Sequence, residues 1–362
     1  TEHLAALSSD AAVLQEPRQR DLNAFTSQVS TVYTNTGNQN DLDRIMRLTR
    51  AVLNTPNLSQ SFKKSEIDIV KREVYYKERN APSRWLNRLA LQKLYGSKFG
   101  RAETPVSDLN KLTVSAAMDF HDKHYIPSNS MLIISGNINE SLAQKKLSQY
   151  FGDTIKTKRI EDKWLKQRPD KGLESITKIS TNRLMDDQLS YAKFFRFNDL
   201  SDILGMQASF FIASDIYNSH LNNALYLDGN TAQSFSQSSY IAVNGDIEYT
   251  ASLIPFEGFT LEEAYENLKI AIKNLESISI THKEIETARS KNVAYTKSLS
   301  QSPRAYLDFF QNLGSDGLPP VSPTEFSKMI ARAPVEDILK IISAFATDSP
   351  SAVILAKLDS QS

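Results

Sequence analysis

The feature that most restricts how this chain can fold is that it repeats itself. Residues 66–137 and 284–357 follow one plan. In the first copy Glu66-Ile67 opens a charged helical stretch that runs into Ala81-Pro82 and an aromatic helix from Trp85 to Tyr95, closed by Gly96. In the second, Glu284-Ile285 opens the stretch, Ser302-Pro303 interrupts it, and Tyr306–Leu313 with Gly314 supplies the aromatic helix. Asp108–Leu112 then corresponds to Glu325–Met329. Each copy goes on through an amphipathic helix and a Pro/Ser turn to a short apolar strand, Met131–Ile134 or Ala352–Leu355. Aliphatic runs bounded by turn formers are what a buried strand requires.

Material upstream of each copy extends the parallel. Leu42, Ile45, Met46 and Leu48 have helical spacing, and a matching helix is predicted over Leu261–Leu275. Strand character precedes each helix, at Leu22–Thr34 in the first half. In the second half it lies at Ile176–Thr181, Gln188–Phe197 and Thr231–Leu253, with Asn244-Gly245 as a hairpin signal. Strands, then helices, then a closing strand predict an α+β fold: two tandem homologous αβ domains, each a mainly antiparallel sheet packed with helices. At 362 residues two domains is the expected number. The polar bridge places the first domain at 1–155, a linker at 156–172 and the second domain at 173–362.

Composition removes several function classes. Lys plus Arg equals Asp plus Glu at 42 each, which argues against a general nucleic-acid binder. There is no cysteine, hence no disulfide framework, thiolate nucleophile or thiolate metal site. That absence suits periplasm, organelle or cytosol, and the first two are weakly favoured. No apolar run has the length of a membrane span. Neither a glycine-rich phosphate loop nor a G-x-S-x-G elbow occurs. The sequence opens at Thr1 without an initiator methionine or signal peptide and reads as a trimmed piece.

Candidate chemistry concentrates in the first half. Glu66 and Glu73, two turns apart on one predicted helix, project from the same face, with Ile67, Ile69 and Val70 on the packing side. By spacing alone they also suit a solvated acidic stripe beside Lys63, Lys64, Lys71 and Arg72. Glu2-His3 at the start of an apolar helix could be half of H-x-x-E-H, a motif that binds zinc through two histidines and uses the glutamate as general base. The first histidine would stand two residues before Thr1. His121 and His124 have i, i+3 spacing but read as surface or helix-cap residues, and His220 and His282 as structural ones. Tyr75-Tyr76, Trp85, Phe210-Phe211 and Phe309-Phe310 read as core.

Taken in order, LNAFTSQVSTVYT (22–34), DLDRIMRLTRAVLNTP (41–56) and EIDIVKRE (66–73) resemble the first domain of the pitrilysin/insulysin-type metallopeptidases. YGSKFGRAETPVSDLNKL (95–112) and DFHDKHYIPSNSMLIISGNI (119–138) continue the resemblance, which extends more loosely over the whole chain. It implies one two-domain half of a clamshell that encloses unfolded peptides. By position it implies Zn2+ held by His3 and Glu73, Glu66 as supporting outer carboxylate, and Glu2 as general base. Asn23, Ala24, Phe25 and Thr26 would form the edge to which a substrate peptide adds as a strand. The implied function is a zinc endopeptidase acting with a second half or homologous subunit that closes the chamber. The alternative is an inactive relative with a structural or substrate-presenting role. Two features differ from the family pattern: the segment from His3 to Asn23 is short, and Tyr226 and Phe235 stand where an opposing half would carry an Arg/Tyr pair. The repeat discriminates internally, because Glu66 has a counterpart in Glu284 whereas Glu73 is matched by Lys291, whose ammonium would repel a metal ion.

Overall fold

The computed structural model describes residues 22–26, 30–54, 60–96, 109–153, 168–170, 172–196, 202–241, 245–315 and 318–359. Strands β1 (Leu22–Thr26) and β2 (Thr31–Asn35) pair antiparallel. Helix α1 (Leu42–Ala51) follows a single 3-10 turn whose Asn38/Asp41 capping box satisfies the first main-chain donors. Next come α2 (Gln60–Asn80) and α3 (Pro82–Tyr95); the latter starts with proline, which needs no donor there, and stops at Gly96 with φ 79°. Helices α4 (Val114–His124) and α5 (Glu140–Phe151) are capped by Thr113 and Asn139.

The second half supplies β3 (Glu174–Thr181), β4 (Gln188–Arg196), α6 (Ile203–Asn222), a π-turn at Asn223–Leu227, β5 (Ala232–Ile241) and β6 (Asp246–Pro255). Then follow α7 (Leu261–Asn274), α8 (His282–Ser298), α9 (Pro303–Ser315), α10 (Pro323–Arg332), α11 (Val335–Ala346) and β7 (Ser351–Leu358). Capping boxes Thr260/Glu263, Thr281/Glu284 and Ser322/Glu325 open α7, α8 and α10. Among the described residues no helix is long and apolar enough to cross a membrane.

The chain folds as two compact units, and each contains a piece from the other repeat. Residues 1–76, 103–162 and 302–317 form the first unit; residues 77–102, 163–301 and 318–362 form the second. Helix α3 therefore belongs to the second unit, and its repeat counterpart α9 to the first. In the first unit, Met46, Leu48, Ala51 and Val52 are buried, and α5 is tied to α1 by Tyr150 Oη donating to Asp43 Oδ1 at 2.9 Å and by a Lys146–Asp43 ion pair. Met131–Ile134, expected as a strand, belongs to no ladder among the described residues. Met131 and Leu132 are exposed, and an aliphatic run becomes a strand only where a partner edge is presented to it.

In the second unit, five strands run in the order β3-β7-β4-β6-β5, with β3 and β7 parallel and the other three pairs antiparallel. This is an α+β fold with a mixed sheet. One face carries α3, whose Leu86, Ala90 and Leu94 pack on Ala192, Phe194, Ala352, Ile354 and Ala356. On the other face Tyr217 of α6 and Phe345 of α11 pack around Tyr249 of β6. Residues Gln188–Phe195 of β4 are buried throughout, because both faces of the sheet are covered.

Candidate active site: the glutamate helix and the β1 edge

Helix α2 carries the two carboxylates as its period requires, with Glu66 buried at 7% exposure and Glu73 half-buried. Ile67 and Val70 are half-buried with them, whereas Ile69, expected on the packing side, is exposed. The second repeat treats its glutamate differently. Glu284 stands two residues into α8 and accepts from Thr281 N at 2.7 Å and Thr281 Oγ1 at 2.6 Å. It also lies 3.0 Å from His220 Nε2. The Thr281 hydroxyl and N–H, then the neighbouring His220, hold its carboxyl below the usual range. Glu66 stands six residues into α2, past the first turn, and so cannot serve as an end cap. Lys291, in the position of Glu73, pairs with Asp215 of α6 at 2.5 Å. The two repeats thus share a helix but not its polar function.

The half-buried Glu73 carboxylate is an oxygen donor of the kind a divalent cation takes, and the buried Glu66 lies two turns away on the same helix, about 10 Å along its axis. Glu2 and His3 lie outside the described residues, and among the described ones no group of three His, Cys, Asp or Glu side chains is placed to hold a metal. Asn23, Ala24, Phe25 and Thr26, read as the substrate edge, lie on β1, with partners Thr34, Tyr33, Val32 and Thr31 across the ladder. Phe25 is 41% exposed. Tyr33 of β2 is anchored by its hydroxyl, 2.9 Å from that of Tyr125.

Other expectations need correction. His121 is no surface or cap residue: at 1% exposure it stacks on Tyr125, with Nε2 2.9 Å from the Val52 carbonyl oxygen. Tyr75 and Tyr76, read as core, are 57% and 71% exposed, since consecutive helical positions past the packed stripe point to solvent. His220, read as structural, has its Nε2 3.0 Å from Glu284 Oε1. A cleft of about 250 Å³ in the second unit, between the start of α3, residues 184–186 and the serines of β5 and β6, contains none of the predicted residues.

Two titratable groups, the half-buried Glu248 and the buried Lys193, escaped the sequence reading. Burial pushes Glu248 of β6 up to about 7, although the Tyr95 hydroxyl of α3 bonds to it. Burial also lowers Lys193 of β4 to about 8; its ammonium donates to the Thr347 carbonyl at 2.9 Å. Neither has a sequence signal, because the partners come from distant segments.

Residues 111–292 match the family model described as the Peptidase M16 inactive domain. This chain belongs to the M16 peptidase family. A search of curated proteins finds no match. Among solved structures, a protease from Helicobacter pylori superposes with a TM-score of 0.80 at 16% identity, over 98% of this chain and 88% of that one. A putative M16-like peptidase from Alicyclobacillus acidocaldarius gives 0.77 at 12%, over 99% and 85%. The periplasmic protease PqqL from Escherichia coli gives 0.74 at 13%, covering 98% of this chain but 42% of that longer one. These likenesses are of fold. The M16 model's match begins after α2, so its description concerns the segment beyond the Glu66/Glu73 pair and includes Lys291.

Proposed function

We propose that this M16 chain is the metal-bearing half of a zinc endopeptidase that cleaves unfolded peptides together with an opposing half. The observation that carries the reading is the asymmetry of the repeats. A buried and a half-buried glutamate sit on one face of α2, while in α8 the equivalent pair is a capping glutamate and a lysine ion-paired to Asp215. A mere solvated stripe gives no reason for that difference.

In this reading His3, Glu73 and a histidine upstream of Thr1 hold zinc, and Glu66 supports the set from behind. When bound, zinc supplies Lewis-acid polarisation of the scissile carbonyl. Glu2 takes the proton from the attacking water and returns it to the leaving amine. The β1 edge aligns the peptide through main-chain hydrogen bonds, giving weak sequence preference and a requirement for extended substrate. Tyr226 and Phe235 do not form an Arg/Tyr pair, so the donor opposite the metal comes from the opposing half. The extent of PqqL beyond this chain supports such a partner. The rival reading, an inactive structural or substrate-presenting subunit, draws support from the M16 model's description.

The deciding experiment is elemental analysis of the chain with its native upstream residues. About one zinc per chain is expected, and Glu73→Gln should remove most of it; full retention of metal by that variant would overturn the assignment. Mixed with its opposing half, the extended chain should cleave a quenched fluorescent peptide in a chelator-sensitive way. No turnover in the complete assembly would favour the inactive reading.

A further inference from the structure

Strand β3 ends one side of the second unit's sheet, and among the described residues its one strand partner is β7. The carbonyl oxygens of Leu173 and Thr181 accept from Ser351 N and Asp359 N at 2.8 and 2.9 Å, so the odd-numbered residues turn their main-chain groups toward β7. Successive residues of a strand alternate, which directs the N–H and C=O of Glu174, Ile176 and Lys178 outward. The side chains of these three share one face of the sheet. Ile176 lies in the middle, 53% exposed, with an acid on one side and a base on the other. Lysine on an edge strand is a usual guard against chance pairing. Here Glu174 balances it, and the edge is its own complement.

We propose that the outer edge of β3 joins two copies of this chain, antiparallel about a two-fold axis at Ile176, so that their sheets become one. In that register Ile176 faces itself, and Glu174 of each copy faces Lys178 of the other. Every pair uses outward-directed residues, so each is of the kind that exchanges both main-chain hydrogen bonds. An axis at residue 175 or 177 would set Ile176 against a charge, and one at 174 or 178 would set like charges directly opposite. The charges therefore select a single register. Helix α7 agrees with it. Glu262 pairs with Lys178 at 2.7 Å and Tyr265 Oη donates to Glu174 at 3.0 Å, so α7 runs alongside β3 in the reverse direction. The same axis then turns the acidic start of one α7, Glu262 and Glu263, toward the end of the other that carries Lys269 and Lys273. The pairing is isologous and closes on itself at two copies. It is independent of the peptidase reading.

Analytical ultracentrifugation of the 362-residue chain over a dilution series should show a reversible monomer–dimer equilibrium. Lys178→Glu and Glu174→Lys each set like charges opposite one another twice across the axis, and each should weaken the dimer about tenfold. Mixed in equal amounts, the two variants are complementary at every charged pair and should dimerise as strongly as the unsubstituted chain. In the isoleucine-labelled unsubstituted chain, the Ile176 amide should exchange more slowly at high concentration than at low, whereas Ile179, directed toward β7, is protected at both. A chain that stays monomeric throughout would overturn the proposal. So would a dimer that both charge reversals leave intact, or weakened variants that fail to recover on mixing. The exchange measurement needs no variant and decides the matter even where a reversal impairs folding: Ile176 exchange independent of concentration in a dimerising chain would place the contact on another surface and overturn the pairing.

Discussion

Replacing Glu248 by glutamine should make the protein more stable at pH 8 and leave it nearly unchanged at pH 4.5. Glu248 sits on β6 between Phe194 of β4 and Tyr240 of β5 as cross-strand neighbours, beneath Tyr95 of α3. The charged groups at this end of the sheet are Asp246 two residues away, paired with Arg168 at 3.1 Å and Arg196 at 3.6 Å. Burial dominates, raising the carboxyl from its ordinary 4.5 to about 7. A folded-state value above the unfolded one means that the native protein binds more protons between about 4.5 and 7. Its contribution to stability is complete below that window and lost as pH rises through 7. The displacement corresponds to roughly 3 kcal/mol at about 1.4 kcal/mol per pH unit. Glu248 keeps some solvent contact, so about 2 kcal/mol is the working value. Glutamine keeps the shape and an acceptor for Tyr95 while removing the charge. The assay is urea unfolding at both pH values, with Trp85 on α3 as local reporter and far-UV circular dichroism as a second probe. Equal changes in stability at the two pH values, or a loss at pH 8, would refute the reasoning.

Three further outcomes are expected. Asn87→Ala should cost about 2–3 kcal/mol, because Asn87 Oδ1 accepts from the hydroxyls of Ser190 and Ser252, both buried under α3. The triple substitution with Ser190→Ala and Ser252→Ala should recover part of that loss in the same unfolding assay. Lys193, 4% exposed and lowered to about 8, makes the native state bind fewer protons between 8 and its ordinary 10.5. Unfolding measured across that window should therefore show the wild type gaining about 3 kcal/mol relative to Lys193→Met. Tyr95→Phe removes the donor that holds Glu248 down, so the stability midpoint should move to higher pH.

What the sequence determined by itself is what local rules write. The α+β order of elements, α2 with Glu66 and Glu73 on one face, the proline-opened α3 and α9, and the strands of the second half all follow from period and punctuation. The family was legible in the order of motifs from Asn23 onward. Only the tertiary structure decided which unit each helix serves. Leu86, Ala90 and Leu94 would make an apolar stripe on any sheet, and nothing in α3 states that its sheet is β4, β6 and β7. The expected strand Met131–Ile134 failed for the same reason, since a ladder needs a partner that a sequence does not name. The Glu248–Tyr95 contact and the burial of His121 and Lys193 likewise arise where distant segments meet in space. A residue's period fixes the face it occupies; what covers that face, and so its solvation and pKa, is fixed by the fold.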